Sequence, residues 1–189
     1  MSDVDPALVR QASTTVTIPA ERLPQLRALA KTRGMNAAGV IEAMLSAAMQ
    51  AGEIPDELEG FKIIPDDDVL FVNVRGGDLP PLDRIKAQVL AVVLEAAAGD
   101  VNPELGVRIE TGRALPVEVG AGKHRMIVLI GRHAHAVLVN VKDVEADAYV
   151  LKTAMTAGMA RDFARLLRKH AVTLMQPVPG LDKAMAAHS

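Results

Sequence analysis

The residues best equipped for chemistry lie between positions 120 and 136. His133 and His135 alternate along a strand-like segment and so share one face, where two imidazoles could approach a metal. His124 lies across the hairpin that the intervening residues suggest. Two ligands do not define a metal site, and histidines beside a turn are more often solvated, so no metal is expected. G-A-G-K-H (120–124) contains a fragment of a phosphate-binding loop, but that loop requires glycine where Val117 stands and Ser or Thr where His124 stands. The segment also lies between strands instead of opening a helix, so it reads as a turn. Asp66, Asp67 and Asp68 are consecutive; their side chains splay and cannot address one bond together. The chain has no G-x-S-x-G elbow, no H-E-x-x-H helix and no convincing Ser/His/Asp grouping. No catalytic residue and no cofactor is expected, and the chain is not read as an enzyme.

Composition narrows the remaining classes. With 189 residues, half of them hydrophobic, the chain can bury a core, and wholesale disorder is excluded. It has no cysteine, which removes disulfides, thiolate metal sites and cysteine nucleophiles together. Aromatics are scarce: Tyr149, Phe61, Phe71 and Phe163, with no Trp. A platform that stacks single-stranded bases needs more exposed rings than that. The net charge of -2 means that any contact with nucleic acid must come from a local basic surface. The opening M-S-D-V-D-P-A-L-V-R lacks a basic head before an apolar block, so no signal peptide is expected. No stretch reaches the roughly 18 apolar residues of a membrane span. A cytoplasmic protein without membrane contact is the expectation.

Residues 1–12 read as an arm. S-T-T-V-T-I (13–18) is β-branched and bounded by Pro19, as a short strand would be. Leu23, Leu26, Leu29 and Ala30 then form a helical stripe that Gly34 closes. Pro24 is compatible with this helix only if it falls within the first turn. Asn36 can cap a second helix with Val40, Ile41, Met44, Leu45 and Ala48 on one face. Residues 53–60 form an acidic linker. From Phe61 a second region begins: a strand at 69–74, and a helix placing Ile85, Val89, Val93 and Ala96 at near-helical steps. Strands follow at about 107–119, 125–130 and 136–141, with turns at 120–123 and 131–134. The spacing predicts helix from Val144 to about Lys169, interrupted at Gly158, then a short strand A-V-T-L-M. A loose tail covers 177–189. The order suggests a small α+β domain over 61–176.

T-V-T-I-P-A-E, the leucine-patterned helix, the Gly34 turn and the second apolar helix together resemble the ribbon-helix-helix fold of Arc- and CopG-type repressors. The resemblance covers 13–52 and implies an α+β protein with an N-terminal ribbon-helix-helix and a C-terminal small α+β domain. A single short strand leaves its edge unpaired, and pairing with the same strand of a second copy gives an antiparallel ribbon over a shared four-helix core. The resemblance implies that Thr14, Val16 and Ile18 point inward, while Ser13, Thr15 and Thr17 face the major groove. It implies that Asn36 and the amides of Ala37 and Ala38 clamp a phosphate. Arg22 and Arg27, with Arg10, Lys31 and Arg33 near them, could reach the DNA backbone.

The resulting expectation is a homodimer, or a higher homo-oligomer, that binds double-stranded DNA as a transcriptional or plasmid-type regulator, most simply a repressor. Against it stand the hydroxyl side chains on the ribbon, which read bases weakly, and the lack of any Lys or Arg between Gly34 and Phe61. These favour an alternative: a structural or assembly protein that uses the fold only to dimerise, with a protein or ligand partner at 61–176. Arg161, Arg165, Arg168 and Lys169 make the most basic stretch, read as a solvated amphipathic helix in preference to a second DNA surface. A faint echo of the N-terminal order around Gly158-Met159 raises a tandem ribbon-helix-helix as a further possibility.

Overall fold

The computed structural model describes residues 15–99, 106, 108–120, 125–134 and 136–174. The chain is mixed α and β, with four helices and two antiparallel sheets among the described residues. Ala20–Arg22 forms one 3-10 turn, followed by α1 (Leu23–Thr32). Pro24 falls in the first turn of α1, where its missing N–H costs no helical bond. The helix closes on left-handed Gly34: Gly34 N–H donates to Lys31 and Met35 N–H to Ala30, so two terminal carbonyls are satisfied. Helix α2 (Ala37–Ala51) opens on Asn36, whose side chain accepts from Gly39 N–H at 2.7 Å. It closes on left-handed Gly52 by the same pair of bonds, to Met49 and Ala48.

Of the expected strand at 13–18, Ser13 and Thr14 lie outside the described residues, and Thr15–Ile18 carry no ladder. A strand exists only against a partner, and among the described residues every strand comes after the first two helices.

The first sheet consists of β1 (Phe61–Asp66), β2 (Val69–Val74), β3 (Gly77–Asp78) and β4 (Leu82–Asp83); β2 pairs with each of the other three. The acidic triplet makes the β1–β2 turn, with Asp67 at positive φ. Helix α3 (Arg84–Ala97) follows, capped by Asp83, which accepts from Lys86 N–H at 2.8 Å. The second sheet is a meander of β5 (Ala114–Val119), β6 (Met126–His133), β7 (Ala136–Asp143) and β8 (Ala148–Thr156). Helix α4 (Ala157–Thr173) ends the described chain, capped by Thr156 Oγ1, which accepts from Met159 N–H at 3.2 Å.

Several expectations are corrected here. Residues 148–156 form β8, not helix, because they pair with β7 along its length from Ala148↔Asp143 to Thr156↔Ala136. That strand removes the tandem ribbon-helix-helix, since β8 stands where the first helix of the repeat was expected between Val141 and Gly158. Gly131–His133 extend β6, and of the expected turn residues Ala134, at positive φ, lies in the turn. Residues 108–113 do not belong to β5, and α4 runs on through Thr173 where a strand was expected. In α3 the expected Val93 and Ala96 are buried, together with Ala87, Leu90, Ala91, Val92, Leu94 and Ala97, whereas the expected Ile85 and Val89 are exposed.

The continuous core draws on Phe61–Leu174 alone. Leu70, Val74, Leu90, Leu94, Ile130, Val139, Met155, Phe163 and Leu167 are at its centre, with α3 and α4 packed side by side. Phe61 and Phe163 meet at 5.1 Å between ring centres, tilted by 55°, joining β1 to α4. Neither α1 nor α2 contributes to that core. Ala30, Val40 and Met49 are buried apart from it. No helix among the described residues is long and apolar enough to cross a membrane.

Candidate nucleic-acid interface

The residues expected to touch DNA lie on the N-terminal unit, and most face solvent. Ser13 is outside the described residues. Thr15 and Thr17 are exposed in the segment before Pro19, which carries no regular secondary structure. Val16, expected to point inward, is 68% exposed, because one chain alone offers nothing to cover it, while Ile18 is half-buried. Arg22 is exposed at the 3-10 turn, where its guanidinium donates to Gln25 Oε1 at 2.9 Å; Arg27 is exposed on α1. Asn36 spends its side chain on the Gly39 amide. The N–H groups of Ala37 and Ala38 then have no intrahelical acceptor, as for any first helical turn. Thr15 and Thr17 share one stretch, and Asn36, Ala37 and Ala38 share one helix start.

The apolar faces of this unit are only partly covered. On α2, Met44 and Leu45 are 58% and 52% exposed, and Ile54 just beyond the helix is also exposed. Leu23, Leu26 and Leu29 on α1 are half-buried. Contiguous exposed apolar side chains of this kind are characteristic of a surface that meets another surface.

The unit is fastened to the body through helix α4. Ser46 Oγ on α2 donates to Asp162 Oδ2 at 2.6 Å, and Asp162 is 6% exposed. Glu42 Oε2 accepts from Gly158 N–H at 3.2 Å, at the start of α4. In the segment after α2, Asp56 takes a two-pronged bond from Arg165 and a third from Lys169 at 2.8 Å. The Arg165 guanidinium, with the Lys169 ammonium, holds the Asp56 carboxyl well below the usual carboxylate range. Arg165 Nε, buried and without a hydrogen bond, faces Asp162 Oδ1 at 3.7 Å. Arg168 pairs with Glu95 of α3 at 2.9 Å, and Arg161 donates to the Ala98 carbonyl at 3.2 Å. The basic stretch of α4 is therefore turned inward onto α3 and the acidic segment. The sequence reading missed this network. The one available signal was that an acidic run and a basic helix coexist in one chain.

Two clefts flank α2. One, about 1020 Å³, is largely apolar and lies between Leu45, Met49 and Ile54 on one side and Phe61, Ile64 and Leu166 on the other. The second, about 1060 Å³, lies between the α1–α2 turn and the surface made by α3, α4 and β6. Of the three histidines near the β6–β7 hairpin, His133 is exposed at the end of β6, and His124 and His135 lie outside the described residues. No group of three or more histidine or carboxylate ligands gathers among the described residues.

Comparison with protein-family models, curated proteins and solved structures finds no match to this chain.

Proposed function

We propose that this chain is a homodimeric DNA-binding regulator whose N-terminal unit is a ribbon-helix-helix. The observation that carries the reading is the state of residues 15–18 in a single chain: without regular secondary structure, largely exposed and without a ladder, directly before two helices that have partly uncovered apolar faces. A second copy would supply what both features lack. Two antiparallel segments would satisfy each other's backbone groups, and Val16, Met44 and Leu45 would be shielded from water. Thr15 and Thr17 would then line the outer face of the ribbon in the major groove, and the amides of Ala37 and Ala38 would lie against phosphates. Arg22 and Arg27 would add backbone attraction. The separation of this unit from the main core supports its acting as a distinct module.

A second reading is favoured by the charge pattern. The basic side chains of α4 are engaged internally, and α2 carries no cation. The N-terminal unit would then serve dimerisation alone, in a structural or assembly protein whose working surface lies in 61–174.

Binding of the full chain to the DNA directly upstream of its own coding sequence, measured against salt, separates the two. A regulator loses affinity steeply as salt rises, with a slope in log–log form of about -0.9 per phosphate neutralised. Thr15→Ala with Thr17→Ala would reduce discrimination between specific and random duplex. Equal, weak binding to both duplexes by wild type and variant would leave only the assembly reading.

A further inference from the structure

The second cleft shares Arg33, Asn36 and Ala38 with the DNA reading, but sets opposite them a cation, Arg132, that the DNA reading does not use. One wall is the α1–α2 turn, with Arg33, Asn36 and Ala38; the other is formed by α3, α4 and β6, including Arg132 and Arg161. Three carboxylates also line it, and each is engaged within the protein. Glu42 accepts from Gly158 N–H, Glu95 from Arg168, and Asp162 from Ser46. Arg33 and Arg132 are different: among the described residues, neither guanidinium has a hydrogen bond or ion pair. Arg132 is half-buried on β6 and lies across Gly99, just past α3. Its guanidinium occupies the space that a Cβ at Gly99 would need, so glycine at that position is what admits the side chain to the cleft wall. Gly99 also has φ +96°, a conformation that favours glycine.

We propose that this cleft binds a small molecule carrying two anionic groups, phosphate or carboxylate, held between Arg33 and Arg132. Guanidinium groups bind both oxyanions through paired, charge-assisted N–H donors, and two of them on facing walls suit a ligand charged at both ends. A concave space near 1000 Å³ is in the range of small-molecule sites. Because one wall belongs to the N-terminal unit and the other to the body, an occupant would bridge the two. Arg33 is shared with the DNA reading, and Arg132 is the residue whose substitution separates the two.

Calorimetric titration of the full chain with inorganic pyrophosphate and with citrate, against chloride at matched ionic strength, tests it. At least one of the two polyanions should bind the wild type, and Arg132→Gln and Arg33→Gln should each weaken that binding roughly tenfold or more. Arg33→Gln, at an exposed turn position, keeps the test decisive if Arg132→Gln fails to fold. Absence of polyanion binding beyond the chloride control would overturn the proposal, as would unchanged binding by the folded variants. A loss of DNA affinity in Arg132→Gln, with no response of the wild type to either polyanion, would also overturn it and assign the arginine to the DNA backbone.

Discussion

Asp56 and Arg165 are 109 positions apart and are joined by two bonds, of 3.0 and 2.5 Å, between one carboxylate and one guanidinium. Asp56 follows α2 and Arg165 is on α4, so the pair fixes the point where the N-terminal unit leaves the body. Both side chains are about three-quarters covered, which shields the pair from water more than a surface ion pair.

Removing Asp56 should therefore weaken the whole chain. Asp56→Ala leaves two cations without their shared carboxylate, and a loss of about 1–3 kcal/mol is expected for charge-assisted bonds in this setting. Urea unfolding with an unchanged m-value checks it. Asp68→Ala, at the exposed end of the β1–β2 turn, should cost far less.

Acid should act on the same junction. Asp56 titrates lower when folded than its ordinary 3.8, so its stabilisation is complete above that value and fades as pH falls below it. His170 is also lowered, mainly by burial and next by Lys169, from its ordinary 6.5. The unfolded chain thus takes up that proton first, and stability begins to fall as pH drops through 6.5. Thermal melts from pH 7.5 to 3 should show a shallow decline below 6.5 and a steeper one below 4. His170→Gln should remove the first step, and Asp56→Asn should reduce the second.

Gly158, at the start of α4, lies directly against Glu42 of α2. A methyl group there would meet the Glu42 side chain, with its Cβ at 2.9 Å, so helix α2 must move rather than only the carboxylate tip. Gly158→Ala is expected to cost about 1–3 kcal/mol from overpacking, and to speed proteolysis near residues 52–60. Glu42→Ala in the same chain should restore only part of the loss, since a Cβ remains at position 42. Equal stability of Gly158→Ala and wild type would contradict this packing.

The Asn36 cap offers a milder test. Asn36→Ala removes the bond to Gly39 N–H and should cost about 1 kcal/mol. Asn36→Asp should retain the cap and add favourable charge at the helix start, while weakening any anion held there.

What the sequence disclosed was mostly local. The glycine that closes α1, the Asn36 cap and the Val69–Val74 strand each follow from a few neighbouring side chains. What it concealed depends on distant partners. Ala148–Thr156 contains Ala, Leu, Lys and Met, which suit a helix, and becomes a strand because β7 offers a ladder. The burial of α3 was legible only in part: Val93 and Ala96 are in the core as expected, while Ile85 and Val89 face solvent and Leu90 and Leu94 take the centre beside α4. Asp56 looked like any acid in a linker. Its role is visible only once α4 is folded beside it, and the same holds for Arg132 against Gly99.

The account rests on two copies pairing through residues 13–18, and the mass of the full chain in solution addresses that most directly. Sedimentation equilibrium at micromolar concentration should give twice the chain mass for the wild type. Val16→Asp places a charge on a side chain that is exposed in one chain and covered in the pair, and it should give the single-chain mass with the C-terminal fold intact. A wild-type protein that sediments as a monomer, or a Val16→Asp dimer as tight as the wild type, would contradict the account.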